Sequence, residues 1–262
     1  MRWYSRTELL LGEAALERLR GAKVAVFGLG GVGGFAVEAL ARAGVGELRL
    51  VDHDVVSGSN MNRQIYALRS TLGQAKVDVA KARVLDINPE CRVDARRTFI
   101  NAESLTELLS IDPGPRMRGP GEGGFDVVVD AIDSVNSKVA LLHAANERGI
   151  FTVSSMGAGG RLDGANAHVA DLSHTRMCPL AAIIRKRLRK LGLHKGIRCV
   201  YSLEPADNKR EPNPLDHVPH VGPGRERRPL GTISYMPALF GLRVAEEALR
   251  HLLKQVETEG RS

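Results

Sequence analysis

The chain has 262 residues, 43% of them hydrophobic, and a formal net charge of +7. That length allows one large domain or two small ones, and no apolar run approaches the ~20 residues of a membrane span. Three widely spaced cysteines (Cys91, Cys178, Cys199) without a CxxC pair argue against a disulfide framework or a four-cysteine zinc site.

The N-terminal stretch MRWYSRTELLLGE carries charge inside its apolar run and lacks a signal-peptide core, so a cytoplasmic protein is expected. Residues 8–20 read as an amphipathic helix within an N-terminal helical arm over residues 1–20. A strand is expected over residues 23–27, a glycine turn in GLGGVG, and a helix over 32–43 ended by Gly44 and Gly46. Strand 47–51 precedes a polar loop, SGSNMNRQ, and a helix over 74–87 that Asn88-Pro89 stops. A short strand over 91–96 and a helix over 103–110 lead to a Pro/Gly-rich loop over 112–124. The run FDVVVDAID reads as a buried strand ending in acid at Asp133, followed by a helix over 136–148 and a strand over 150–155. This alternation predicts an α/β fold, a Rossmann-like, mostly parallel sheet with helices on both faces. The C-terminal half is more elaborate: a turn and strand in GAGGRLDGANAHVADL, a basic helix over 178–191, a strand in RCVYSLE, a charged, Pro-rich loop over 205–230 and a final amphipathic helix over 237–256. With no repeat and no clean linker, residues 1–262 read as one domain, of which 156–262 are a C-terminal extension.

The first strand, turn, helix and second strand have the build of a nucleotide-binding βαβ unit. Gly28 permits the tight turn, Gly30 lets backbone approach phosphate oxygens, and Gly33 lets the helix pack closely. The helix amides and dipole then face an anion. Asp52, ending the second strand, is placed to accept hydrogen bonds from ribose hydroxyls. The pattern alone leaves NAD and ATP both open. A dinucleotide pyrophosphate needs little cationic help, whereas a triphosphate carries about four charges and recruits Lys, Arg and often a metal. Arg63 and Lys76 lie where the loop after the second strand meets the next helix, and Asp133 lies on the carboxyl edge of the sheet, where a carboxylate suits Mg²⁺. Each has an ordinary alternative: a surface ion-pair partner, an early-helix cation, a helix N-cap. The combination on one sheet edge favours a triphosphate site. Separately, residues 183–198 hold Arg185, Lys186, Arg187, Arg189, Lys190, Lys195 and Arg198 and no acid, a one-signed stretch suited to a polyanion such as RNA, or simply a basic surface helix.

The motifs GLGGVG, VDHDVVSGSNMNRQ, GQAK and DAIDS, in that order, resemble the ubiquitin-activating-enzyme-like adenylylating fold of the ThiF/MoeB/HesA family. The resemblance implies attack of a substrate carboxylate on the α-phosphate of ATP, giving an acyl-adenylate and pyrophosphate. It implies that Gly28, Gly30, Gly31 and Gly33 form the phosphate loop, that Asp52 holds the ribose, that Asn60, Arg63 and Lys76 contact the triphosphate, and that Asp133 assists through Mg²⁺. Arg6, in YSRTELLLG, matches the family's N-terminal arginine, which reaches the partner's ATP in homodimers, so a homodimer is expected. The stretches RQIYALRSTLGQAK, INPECRV, DAIDSVNSKVAL, CPLAAIIRKRLRK and CVYSLEP are similar to the branch of tRNA threonylcarbamoyladenosine dehydratases. That branch implies adenylylation of the threonylcarbamoyl carboxylate on adenosine 37 of tRNA, and ring closure that expels AMP. The basic helix (Arg185, Lys186, Arg187, Arg189, Lys190) would then hold tRNA. Activation of a ubiquitin-like sulfur-carrier's C-terminus, with a carrier or cysteine desulfurase as partner, is the alternative within the family; the missing CxxC pairs count against it. RRPLGTISYMPALFG has no cysteine, a departure that leaves Cys178 and Cys199 as the candidate nucleophiles for any thioester step. An NAD-dependent dehydrogenase and a non-catalytic nucleotide-fold module stand outside the family reading.

Overall fold

The structure is a computed structural model that describes residues 3–110, 124–208 and 230–259, the last five by backbone only. The loops expected over 112–124 and 205–230 lie largely outside the described residues.

Seven strands form one sheet in the order β3-β2-β1-β4-β5-β7-β6. They are β1 (Lys23–Phe27), β2 (Glu47–Val51), β3 (Arg92–Arg96), β4 (Val127–Asp130), β5 (Phe151–Ser155), β6 (Ala167–Asp171) and β7 (Arg198–Ser202). All neighbours pair parallel except β6, which runs antiparallel to β7. The strand residues are apolar on both faces because both faces are covered. Val24, Val26, Leu48, Leu50, Val127 and Val129 join one cluster, under α3 (Gly33–Ala43), α4 (Lys76–Ile87) and α8 (Tyr235–Glu259). Ala25, Phe27, Val51 and Val128, the alternate positions, face α5 (Ser104–Leu108) and α6 (Val135–Glu147) through Leu105, Leu108, Leu141 and Ala145. A third cluster packs α7 (Pro179–Lys190) on α6 and β7. Fully burying each such aliphatic side chain contributes about 1.5–3 kcal/mol. A parallel sheet aligns the carboxyl ends of β1, β2, β4, β5 and β7 along one edge, where open α/β folds bind ligands.

Two expectations need correction. The helix expected over 8–20 is two, α1 (Ser5–Leu11) and α2 (Glu13–Gly21), broken at Gly12, whose φ of 80° no helix accommodates. The strand in FDVVVDAID stops at Asp130, three residues before Asp133. Asp130 turns into the core, where it and Lys138 are both 0% exposed and 2.6 Å apart. Ser154 Oγ donates to the same carboxylate, and Lys138 Nζ also donates to Ser155 O at 2.9 Å. This buried pair ties the ends of β4 and β5 to α6 directly beneath the ligand edge.

Candidate active site

The turn after β1 is built by steric exclusion. Gly28 has φ +89°, and a Cβ there would lie 2.7 Å from Ala131 O. A Cβ on Gly33 would lie 1.8 Å from Gly28 O, so the first turn of α3 closes back over the loop itself. Gly31 is walled in by Pro237 and Arg63 O. Gly30 differs: a Cβ there would meet only Gln64 Nε2, at 3.7 Å. The one open glycine is therefore the one read as the approach point for phosphate.

Asp52 is buried, and its carboxylate braces this loop. One oxygen accepts Leu29 N at 2.6 Å and the other accepts Asp54 N at 2.9 Å. A carboxylate offers about four lone-pair sites, so capacity for ribose hydroxyls remains. Lys76 opens α4 and is only 4% exposed. Its Nζ sits 2.8 Å from Asp54 Oδ2, and its backbone N–H donates to Asp54 O. Asp54 also reaches His53 Nε2 at 3.3 Å. Burying a lysine at a helix N-terminus is unfavourable to the helix dipole, and Asp54 offsets that penalty. Arg63 donates to Ser59 O and to Asn62 Oδ1. Burial lowers its guanidinium from the usual range, and the nearby Asp133 charge opposes that shift. Asp133 itself is exposed. Asn60 Oδ1 closes its own 3₁₀ turn by accepting Ser57 N. The loop after β2 thus brings Asp52, Asn60, Arg63 and Lys76 to the glycine turn, and the β4–α6 loop brings Asp133 to Arg63.

Arg6 lies on α1 and is exposed. The five α7 cations separate. Arg185 is half-buried and donates to Thr175 Oγ1 and Thr175 O, so its guanidinium is engaged within the fold. Arg187 donates to Asn136 Oδ1 on α6. Lys186, Arg189 and Lys190 are exposed. Two residues of the loop after β2 have no role that the sequence assigns. Asp54 sets Lys76, and Gln64, beside Gly30, is buried with Oε1 lacking a partner among the described residues. Both sit in VDHDVVSGSNMNRQ, a loop with no periodicity to mark them. All three cysteines are buried. Burial pushes the Cys199 thiol up to about 12, far from a reactive thiolate.

A family model described as the ThiF family matches residues 4–261. The tRNA threonylcarbamoyladenosine dehydratase of Bacillus subtilis (strain 168) is 39% identical over 97% of this chain and 96% of that protein. The protein of the same description from Escherichia coli (strain K12) is 34% identical over 98% of this chain and 96% of its own length. A crystal structure of the E. coli tRNA N6-threonylcarbamoyladenosine dehydratase in complex with ATP superimposes with a TM-score of 0.81 at 35% identity, covering 97% of this chain and 95% of that one.

Proposed function

The chain belongs to the ThiF family, and on that premise we propose that it is an ATP-dependent tRNA threonylcarbamoyladenosine dehydratase. The observation that carries this reading is full-length similarity to such dehydratases together with an open glycine turn flanked by two cations. The phosphates of ATP lie over the start of α3, where amides and the helix dipole favour anions. Lys76 and Arg63 exchange Asp54, Ser59 and Asn62 for phosphate oxygens, and Asn60 supports the same loop. Asp52 keeps its two backbone partners and takes the ribose hydroxyls.

The chemistry then needs position more than a nucleophile from the enzyme. An oxygen of the threonylcarbamoyl carboxylate bonds to the α-phosphorus, and the bond to pyrophosphate breaks with its electron pair leaving on pyrophosphate. The carbamoyl group of the same modified adenosine (position 37 by the family resemblance) attacks the new acyl carbon. The carbon–oxygen bond to AMP breaks, the carbamoyl loses a proton, and the base has lost one water. Ring closure is intramolecular, so proximity does what a covalent enzyme intermediate would otherwise do. Buried thiols fit this route, and no step moves sulfur.

Magnesium fits the donor set. Asp133 is an exposed carboxylate beside Arg63 on the ligand edge of the sheet. Hard oxygen ligands, one or two from protein and the rest from phosphate and water, are what Mg²⁺ takes. Bound there, it would offset the charge that builds on the phosphates.

A homodimer is the second part of the proposal. Leu9 and Leu10 on α1 are 89% and 82% exposed, next to Arg6. A second copy covering that face would bury them and carry Arg6 to its neighbour's ATP. No described helix is long and apolar enough to cross a membrane, in keeping with a cytoplasmic enzyme. The experiment is mass spectrometry of nucleosides from threonylcarbamoylated tRNA incubated with the protein and ATP. The expected result is conversion to a base lighter by one water, with AMP formed. Unchanged base with folded protein would contradict the proposal.

A further inference from the structure

Between α5, α6 and α7 lies a groove of about 380 Å³. That is near the lower end of the ~300–1,000 Å³ of small-molecule sites. Leu105, Val139, Ala140 and Ala144 form an apolar floor, and His143 and Arg187 stand at its sides. Asn136, in the first turn of α6, lines the end nearest the β4–α6 loop that carries Asp133. From Asn136 to Ala144 the groove follows α6 for about 12 Å.

We propose that this groove binds one unpaired nucleotide of the substrate tRNA, adjacent to the adenosine being modified. The inference rests on the tRNA reading above. An apolar floor suits the face of a base, and an imidazole and a guanidinium are the groups on which splayed RNA bases stack. Arg187 is presented in a fixed orientation because Asn136 Oδ1 holds it. The α7 rim supplies the charge: Lys186 and Lys190 are exposed on the turns that carry Arg187, and residues 176–198 contain no acid. On the α5 side, Glu107 is directed to Arg96. An apolar peptide would leave that cationic rim without counter-charge; a nucleotide supplies base and phosphate together. The Asn136 end of the groove is on the side of the β4–α6 loop and its Asp133, which suits a residue next to the reacting one.

The test fills the groove and leaves the rim alone. Ala140→Phe adds bulk at a partly exposed position; Arg187→Ala, at an exposed position, removes the stacking face without new bulk. For each, tRNA affinity, ATP affinity by calorimetry and melting temperature are measured beside Lys186→Glu/Lys190→Glu. We expect tRNA binding about tenfold weaker in both groove variants, of the order of one lost base stack, with ATP affinity and melting temperature kept. Photocrosslinking from a thiolated base flanking the modified adenosine should map to residues 136–144. If the rim variant weakens tRNA binding while neither groove variant does, the groove inference is overturned and the tRNA reading stands. If no variant changes tRNA affinity, both the groove and the basic-helix reading fall. Should Ala140→Phe unfold, Arg187→Ala alone decides.

Discussion

Two cationic regions of this chain differ in number and in burial. At the glycine turn the cations are few, sheltered and spoken for: Lys76 is 4% exposed and paired with Asp54, and Arg63 is held by Ser59 and Asn62. On α7 they are many, and Lys186, Arg189 and Lys190 stand in solvent. A small triphosphate of fixed shape calls for the first arrangement, since pre-oriented groups in a sheltered site need little reorganisation at the moment of reaction. A long polyanion calls for the second, since its affinity comes from counterion release and not from geometry. The comparison teaches that cation count predicts ligand size, and cation burial predicts ligand precision.

Four experiments break or sharpen that contrast. The largest effect is expected for Lys76→Ala: tRNA-dependent adenylylation should fall about 10²–10³-fold, the usual loss for one oriented charge-stabilising donor, with circular dichroism unchanged. Wild-type turnover would remove Lys76 from the site. Next is Arg185→Ala, which should cost about 1.5–3 kcal/mol of stability, as charged hydrogen bonds to Thr175 do, without altering the salt dependence of tRNA binding. A loss of tRNA affinity with no change in melting would make Arg185 a ligand contact after all. Third, reversing Lys186, Arg189 and Lys190 to Glu should weaken tRNA binding by roughly tenfold and flatten its salt slope by about one per lost phosphate contact. ATP titration should be unaffected.

The smallest effect is a control on the opposite edge of the sheet. His251 stacks on Phe151 at 3.8 Å. Burial holds its pKa below the ordinary value, helped by the Arg18 and Lys254 charges and opposed by Asp126. The neutral ring is the form the fold prefers. Its contribution is therefore present above the unfolded value of about 6.5 and is lost as pH falls through the lower folded value. Melting temperature should decline slightly on acidification in the native protein and decline less in His251→Phe. Equal slopes would deny the shift, and neither ATP nor tRNA binding should respond to the substitution.

Local spacing was enough for the strands, because buried parallel strands read as short apolar runs; β1 and β2 fall on the residues expected. It was not enough where a tertiary partner decides. DAID offers two acids three residues apart, and only the distant Lys138 and Ser154 reveal that Asp130 belongs to the core and Asp133 to the surface. Arg185 did carry a local signal: Ala181, Ile184 and Leu188 are the buried stripe of α7, and Arg185 borders it. The tight turn after β1 was readable from its glycines, whereas the contacts of Asp54 and Gln64 are ones that loop sequence does not encode.

In the proposed mechanism the substrate carboxylate attacks the α-phosphorus of ATP. Isotope transfer tests it most directly: threonylcarbamoylated tRNA carrying ¹⁸O in that carboxylate, turned over with ATP. One heavy oxygen should appear in AMP, with none in pyrophosphate. Heavy oxygen in inorganic phosphate with ADP as product, or unlabelled AMP alongside cyclised base, would contradict the account.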